Sequence, residues 1–357
     1  MNQERYQRQA ILKGFGEEGQ AKLAKASVLV IGAGGLGVPV LMYLNAMGVG
    51  TLGIVDNDSV SISNLHRQVI YTEKQVGQSK VAAIKEKLKA QNSSTSIHVY
   101  HTFLNTSNAL EIIEKYDLVV DASDNFPTRY LVNDTCVVLK KPLVYGALHG
   151  FEGQVSVFNF NNGPTYRCLY PTMPKPNEVP NCNEHGVLGI LPGIIGNLQA
   201  LEAVKVIAGI GDVLSGIVLL YDGLTQRVQR IKFDVKLENL NIRALAKSYD
   251  FQCDVPIKSV EAIAFNHILV DNDLELIDVR SRKEFKNSHL KGAKNIPLDL
   301  LKDHTDSIDL TKPVYLICQS GIRSQKAILL LQELFPKSEF INVVGGMNQI
   351  NSYANTH

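Results

Sequence analysis

Hydrophobic positions in the first 150 residues come as short runs separated by stretches of longer period. Residues 28–31, 52–55, 118–120 and 143–146 are apolar runs of strand length. Between them, 36–47, 79–91, 109–116 and 128–140 space apolar residues three and four apart, as a helix with one buried face requires. Residues 97–99 alternate weakly. Strands alternating with such helices predict βαβ units and a parallel sheet. After Gly150 the pattern changes, and 154–160 alternates like an antiparallel strand. Residues 161–183 are rich in Pro, Asn and Gly without a period, which predicts a long loop, and loops of that length are usually functional. A helix over 190–207 and strands at 217–221 and 228–233 close this part. A smaller α/β pattern follows, with strands at 274–278 and 314–317 and a helix over 323–334. The expected division is 1–240, a linker at 241–258, and 259–357.

Composition changes this picture little. The chain has 357 residues, about two domains' worth, with 45% hydrophobic and 20% charged residues. Lys+Arg is 36 against Asp+Glu 35, a net charge of +1, which argues against binding nucleic acid through counterion release. Residues 27–55 carry no charge and match a membrane span in length. They also hold seven glycines, Pro39 and Asn45, so they read as a buried strand–helix–strand unit, and no membrane span is expected. The five scattered cysteines (Cys136, Cys168, Cys182, Cys253, Cys318) do not form a disulfide framework, and the charged N-terminus has no apolar leader. A reducing, cytoplasmic setting is expected.

Chemistry enters at Gly32-Ala-Gly34-Gly35-Leu-Gly37, which follows a strand and opens a helix. Such a turn aims backbone amides and a helix N-terminus at phosphate. Asp56 ends the next strand, 19 residues after Gly37, where a ribose hydroxyl would bind. The motif alone leaves a dinucleotide and ATP both open, and a nicotinamide oxidoreductase is the default reading. Arg67 within Asn64-Leu-His66-Arg67-Gln68, Lys80 at the next helix start, and Asp124 after the fourth strand favour ATP. Two cations neutralise a triphosphate and a carboxylate holds Mg2+, needs that a pyrophosphate bridge does not have.

With Arg5-Tyr-Gln-Arg8-Gln, Asp56-Asn-Asp58, Asp121-Ala-Ser-Asp124-Asn and Pro180-Asn-Cys182 added, residues 4–235 resemble the ThiF/MoeB/HesA-type adenylyltransferases, relatives of ubiquitin-activating enzymes. The resemblance implies a Rossmann-like ATP-binding domain with a mixed sheet. It implies nucleotide binding by Gly32, Gly34, Gly35, Gly37, Asp56, Asp58, Asn64, Arg67, Gln68 and Lys80, with Asp124 as the Mg2+ ligand. Arg8 matches an arginine that reaches into a partner subunit's site, so a homodimer is expected. The implied reaction is adenylation of the C-terminal Gly-Gly carboxylate of a ubiquitin-like sulfur carrier, of the molybdopterin-synthase small-subunit or thiamine type. An ionised carboxylate needs no general base, so catalysis is positioning and charge neutralisation.

Cys182 lies in a polar loop three residues before His185, an accessible setting for a thiolate. By resemblance it takes the activated carrier as a thioester or acyl disulfide; an incidental loop thiol is the alternative. The family often binds zinc through two Cys-x-x-Cys pairs. Here the first pair reads Thr165-Tyr-Arg-Cys168 and the second is absent, so no structural zinc is expected.

Near the C-terminus, Cys318-Gln319-Ser320-Gly321-Ile322-Arg323 follows a strand and precedes a helix. Amides converging at a helix N-terminus, with Arg323 beside them, favour a thiolate or a bound anion. Four residues separate Cys318 from Arg323, one fewer than in a tyrosine phosphatase, so the tighter cradle suits a persulfide. With Leu276-Ile-Asp278-Val-Arg280, Glu284-Phe285, His289-Leu-Lys-Gly292-Ala, Asn295-Ile-Pro297 and Gly345-Gly346-Met, residues 259–357 resemble a rhodanese, or sulfurtransferase, domain. Cys318 then carries the persulfide, Asp278 and Arg280 are structural, and a packing variation replaces the usual tryptophan after Gly-Gly. A sulfur donor such as a cysteine desulfurase is implied. The rival to sulfur transfer is an activating enzyme for a protein modifier, acting through a Cys182 thioester.

Overall fold

The computed structural model describes residues 3–174, 186–249, 257–271 and 274–354, and the chain divides into two units at 251/252. In the first unit, β1 (Ser27–Ile31), β2 (Thr51–Val55), β4 (Leu118–Asp121) and β5 (Leu143–His149) are buried almost throughout, and β3 (Ser96–Tyr100) is half exposed at the edge. This matches the continuous apolar runs in sequence, because a parallel sheet covered on both faces leaves no polar side. β6 (Glu152–Phe158), β7 (Ile217–Asp222) and β8 (Val228–Lys232) extend the sheet antiparallel, in the order β3-β2-β1-β4-β5-β6-β7-β8.

Helices cover both faces. α3 (Gly37–Ala46), α4 (Lys80–Gln91) and α8 (Leu191–Ala208) share one core with the sheet. α5 (Ala109–Glu114) and α6 (Phe126–Val138) build the other. α6 begins cleanly because Asn125 Oδ1 accepts the Thr128 amide and Pro127 sits in the first turn. α8 has Pro192 in its first turn and ends at Gly209, which is left-handed at φ 70°. This is the helix long and apolar enough to cross a membrane among the described residues, and 56% of it is buried within the fold. The 27–55 stretch is β1, α3 and β2.

Two helices precede the sheet where the pattern offered none: α1 (Gln3–Ala10) and α2 (Gly16–Lys25). α1 is anchored by Tyr6, whose hydroxyl accepts from Asn92 Nδ2 at 2.8 Å, and by Arg5, which donates to Gln91 O. Inside the expected loop, Tyr166–Leu169 forms α7, and Cys182 and His185 lie outside the described residues. Past residue 240 the chain still belongs to this unit. Tyr249 is buried, its hydroxyl 2.7 Å from Asp134 Oδ2.

The second unit is a parallel sheet ordered β11 (Lys294–Asn295), β10 (Glu275–Asp278), β12 (Val314–Ile317), β13 (Phe340–Val344) and β9 (Lys258–Glu261). α10 (Arg282–Asn287) follows β10, α11 (Ile322–Leu334) packs on one core, and α9 (Ala262–Asp271) and α12 (Gly346–Ala354) flank the other. Met347 stands after the Gly345-Gly346 turn and is buried with Phe265 and Val343.

Candidate functional site

The first cleft opens at the C-terminal ends of β1, β2 and β4, where the strand order reverses. Ile31 is in register with both Val55 and Asp121, which brings the glycine turn, Asp56 and the 121–124 turn to one place. The turn is glycine for steric reasons. Gly32 has φ +100°, and a Cβ on Gly37 would lie 1.9 Å from Gly32 O. Asp56 fastens the turn, accepting the Ala33 amide at 2.8 Å and the Asp58 amide at 2.7 Å. Burial pushes the Asp56 carboxyl up, and Lys80 and the two amides oppose it.

Lys80 is 4% exposed, and its Nζ lies 2.7 Å from Asp58 Oδ2. Arg67 donates to Asn64 Oδ1 at 3.0 Å and to Ser63 O at 3.1 Å, and it contacts His66 Nε2 at 2.8 Å. Its Cδ would lie 3.6 Å from a Cβ on Gly35, and Gln68 Nε2 3.6 Å from one on Gly34. Asn64, Arg67 and Gln68 therefore wall the turn. Asp124 is exposed just past β4 and meets Asn125 Nδ2 at 3.5 Å, whereas buried Asp121 accepts the Ser123 amide. Asp124 is thus the carboxylate with oxygens free for a hard cation, and the donor set suits Mg2+. Gln68 Oε1 is buried without a partner beside the turn, an acceptor that a polar ligand would complete.

Two predicted residues stand elsewhere or outside the described region. Arg8 is exposed on α1, which is fastened at the far end of α4 from Lys80, about 17 Å along a helix of this length. Cys182 lies outside the described residues. Arg129 was missed by sequence reading. It is buried over the Tyr145 and Phe126 rings, at 5.4 Å from each, and donates to Ser123 O, so it supports the 121–124 turn from below. An arginine on the buried face of α6 was the available signal.

In the second unit Cys318 follows β12 and is buried. Its sulfur accepts the Gly321 amide at 3.1 Å and meets Ser324 Oγ at 3.5 Å. Gly321 is left-handed at φ +89°. Arg323 is near the sulfur, as expected, and interacts with it electrostatically. Its guanidinium is paired with Glu284, Nη2–Oε1 2.6 Å and Nη1–Oε2 2.9 Å. The Arg323 hydrogen bonds hold the Glu284 carboxyl down to about 2, against a smaller opposing effect of burial. Arg280 is likewise paired with buried Asp278 at 2.7 Å, and it donates to Gln319 Oε1. Asp278 and Arg280 therefore brace the loop. Ser324, the residue after the predicted loop, is a sulfur contact to which the sequence assigned no role.

A glycine turn with two cations and two acidic turns in the first unit, and a six-residue sulfur loop in the second, define a nucleotide-activating enzyme joined to a sulfurtransferase domain. The ThiF family model matches residues 6–248 and the rhodanese-like domain model residues 264–353; the chain belongs to the ThiF family and carries a C-terminal rhodanese domain. It is 39% identical to the adenylyltransferase and sulfurtransferase MOCS3 of Aedes aegypti, over 96% of this chain and 85% of that protein. It is 40% identical to MOCS3-1 of Zea mays, over 96% and 80%. Among solved structures, E. coli MccB with MccA-N7isoASN aligns at TM-score 0.59 and 22% identity, over 66% of this chain and 73% of that one, a likeness of fold. The chain is thus an enzyme of the adenylyltransferase and sulfurtransferase type, with ATP as its nucleotide.

Proposed function

We propose that this chain adenylates the C-terminal Gly-Gly carboxylate of a ubiquitin-like sulfur carrier and then converts the adenylate to a thiocarboxylate with sulfur held on Cys318. What supports the first step is the convergence of the glycine turn, Asp56, Arg67, Lys80 and Asp124 at one strand-end cleft. Asp56 takes the ribose, and the turn amides, Asn64 and Gln68 line the phosphates. Asp124 holds Mg2+, which supplies charge neutralisation to the phosphates when bound. A carrier carboxylate oxygen attacks the α-phosphorus, the bond to the β-phosphate oxygen breaks, and pyrophosphate leaves. Arg67 and Lys80 stabilise the charge that develops on the phosphates. Arg8 lies on α1, which is fastened at the end of α4 away from Lys80, and this favours a homodimer that exchanges it.

In the second step, the Cys318 persulfide attacks the acyl carbonyl and AMP leaves, giving an acyl persulfide. A thiol, Cys182 in this reading, attacks the Cys318 sulfur and releases the thiocarboxylate. The resulting disulfide is cleared by an external thiol. The persulfide itself comes from a donor such as a cysteine desulfurase. Fusion of the units raises the persulfide's effective concentration near the adenylate. The domain limits that fit this reading are 1–240, with 241–249 packed on the same unit, and a sulfurtransferase domain from 259.

ATP–pyrophosphate exchange with purified Gly-Gly carriers tests the reading. Carrier-dependent exchange that Asp124→Ala abolishes is expected. No exchange with any carrier, in a chain that loads persulfide on Cys318, would reduce the first unit to a nucleotide-binding platform.

A further inference from the structure

The family that the sequence resembles often holds zinc between two Cys-x-x-Cys turns, and this chain keeps only Cys168 of the first. Cys168 closes the first turn of α7, and its sulfur takes the Thr165 amide at 3.4 Å and meets Thr165 Oγ1 at 3.5 Å. A second turn reaches the same atom from 68 residues further along. The Lys236 amide donates to the sulfur at 3.3 Å and Asn239 Nδ2 at 3.9 Å, while Lys236 O lies 3.8 Å away as an acceptor for the thiol. Thr165-x-x-Cys168 and Lys236-x-x-Asn239 repeat the ligand spacing twice, yet they converge on a single sulfur.

Zinc does not fit this arrangement. Amide N–H and carboxamide NH2 groups donate hydrogen bonds and offer no lone pair to a metal. Among the described residues no three His, Cys, Asp or Glu side chains group as ligands. The sulfur stands at the centre of the contacts, where a metal ion would stand if these were ligands.

We infer that the Cys168 sulfur replaces the zinc ion as the fastening between the two turns, tying the start of the segment that carries Cys182 to the chain leaving β8 without a metal. The charge state fits. Burial pushes the Cys168 thiol up, but the Thr165, Lys236 and Asn239 hydrogen bonds outweigh it, and the net direction is down. A sulfur nearer to thiolate accepts stronger, charge-assisted bonds. Neighbouring contacts share the load, so loss of the hub leaves a folded chain: Arg167 pairs with Asp134 at 2.7 Å, and Tyr130 donates to Tyr170 O and Thr172 O.

The experiment uses the full chain. Elemental analysis should find zinc far below one per chain, and dialysis against a chelator should leave Tm unchanged and, once Mg2+ is restored, pyrophosphate exchange unchanged. Cys168→Ala should lower Tm by about 3–8 °C, the size expected for a few lost hydrogen bonds in a unit this large. The combined variant Thr165→Cys, Lys236→Cys and Asn239→Cys should bind one cobalt(II) with tetrahedral, thiolate-ligated spectra, which the native chain lacks. One zinc per native chain whose removal lowers Tm would overturn the inference. So would a Cys168→Ala chain with unchanged Tm, or a combined variant that folds and binds no cobalt.

Discussion

Lys80 separates chemistry from stability better than any other residue in the cleft. Its side chain is 4% exposed, while its partner Asp58 is 63% exposed at 2.7 Å. In Lys80→Met the buried stem is replaced by similar apolar volume, and Asp58 returns to water. An exposed partner of this kind makes the pair worth less than about 1 kcal/mol to folding, so Tm should move by no more than about 4 °C. The loss to catalysis is larger. A unit charge about 4 Å from a developing phosphate charge, at an effective dielectric of about 20, contributes about 4 kcal/mol. That is roughly a thousandfold in rate, and loss of one preorganised donor is typically about 100- to 1,000-fold. Carrier-dependent pyrophosphate exchange should therefore fall by about 100- to 1,000-fold at nearly constant Tm. Asp58→Asn, which leaves the cation in place, should lose less. Exchange within about tenfold of native in a stable Lys80→Met chain would mean that Lys80 only pairs with Asp58, and the site assignment would fail at that residue.

Three further outcomes follow from the geometry. Gly37→Ala puts a Cβ 1.9 Å from Gly32 O, so calorimetric ATP affinity should fall at least about tenfold; unchanged affinity would show that the turn is not the phosphate site. Glu284 ionises near 2 in the folded unit against an ordinary 4.5, because Arg323 holds it down. Its stabilising share is complete above about pH 4.5 and is lost as pH falls toward 2, so the stability gap between native and Glu284→Gln in urea should close over that window; a gap constant with pH refutes the ion pair. Cys318→Ala should abolish persulfide loading, read by mass spectrometry, and leave carrier-dependent exchange intact, because the two units have separate cores.

The parallel half of the first sheet was legible because strands buried on both faces are uninterrupted apolar runs. The glycine turn, Asp56 and the 121–124 turn were legible because backbone sterics and strand ends leave local signatures. What stayed hidden is long-range or borne by the backbone. Arg323 meets Glu284 across 39 residues, and no spacing rule connects them. The Lys236 turn was invisible because its donor to Cys168 is a main-chain amide, which every residue but proline has. α2 has only Gly19, Gln20 and Leu23 buried, too few apolar positions to read as periodic.

The two sites treat positive charge in opposite ways, and the reactions explain why. In the cleft, the partners of Arg67 are neutral oxygens and a ring nitrogen, and the partner of Lys80 is a largely exposed carboxylate. Both cations thus keep most of their field for a triphosphate that arrives with several negative charges. At the sulfur loop, both arginines are matched by their own carboxylates, Asp278 and Glu284, at 2.7 and 2.6 Å. There the sulfur receives dipoles, from the Gly321 amide and the α11 N-terminus, and the arginines hold the loop's shape. A persulfide carries at most one charge and must leave again as a nucleophile. A free guanidinium against it would lower its reactivity as much as it stabilised its binding. Matching each arginine with its own carboxylate at one site, while Arg67 has none and Lys80 only an exposed one at the other, is what a chain needs if it is to grip a polyanion and hand over a sulfur.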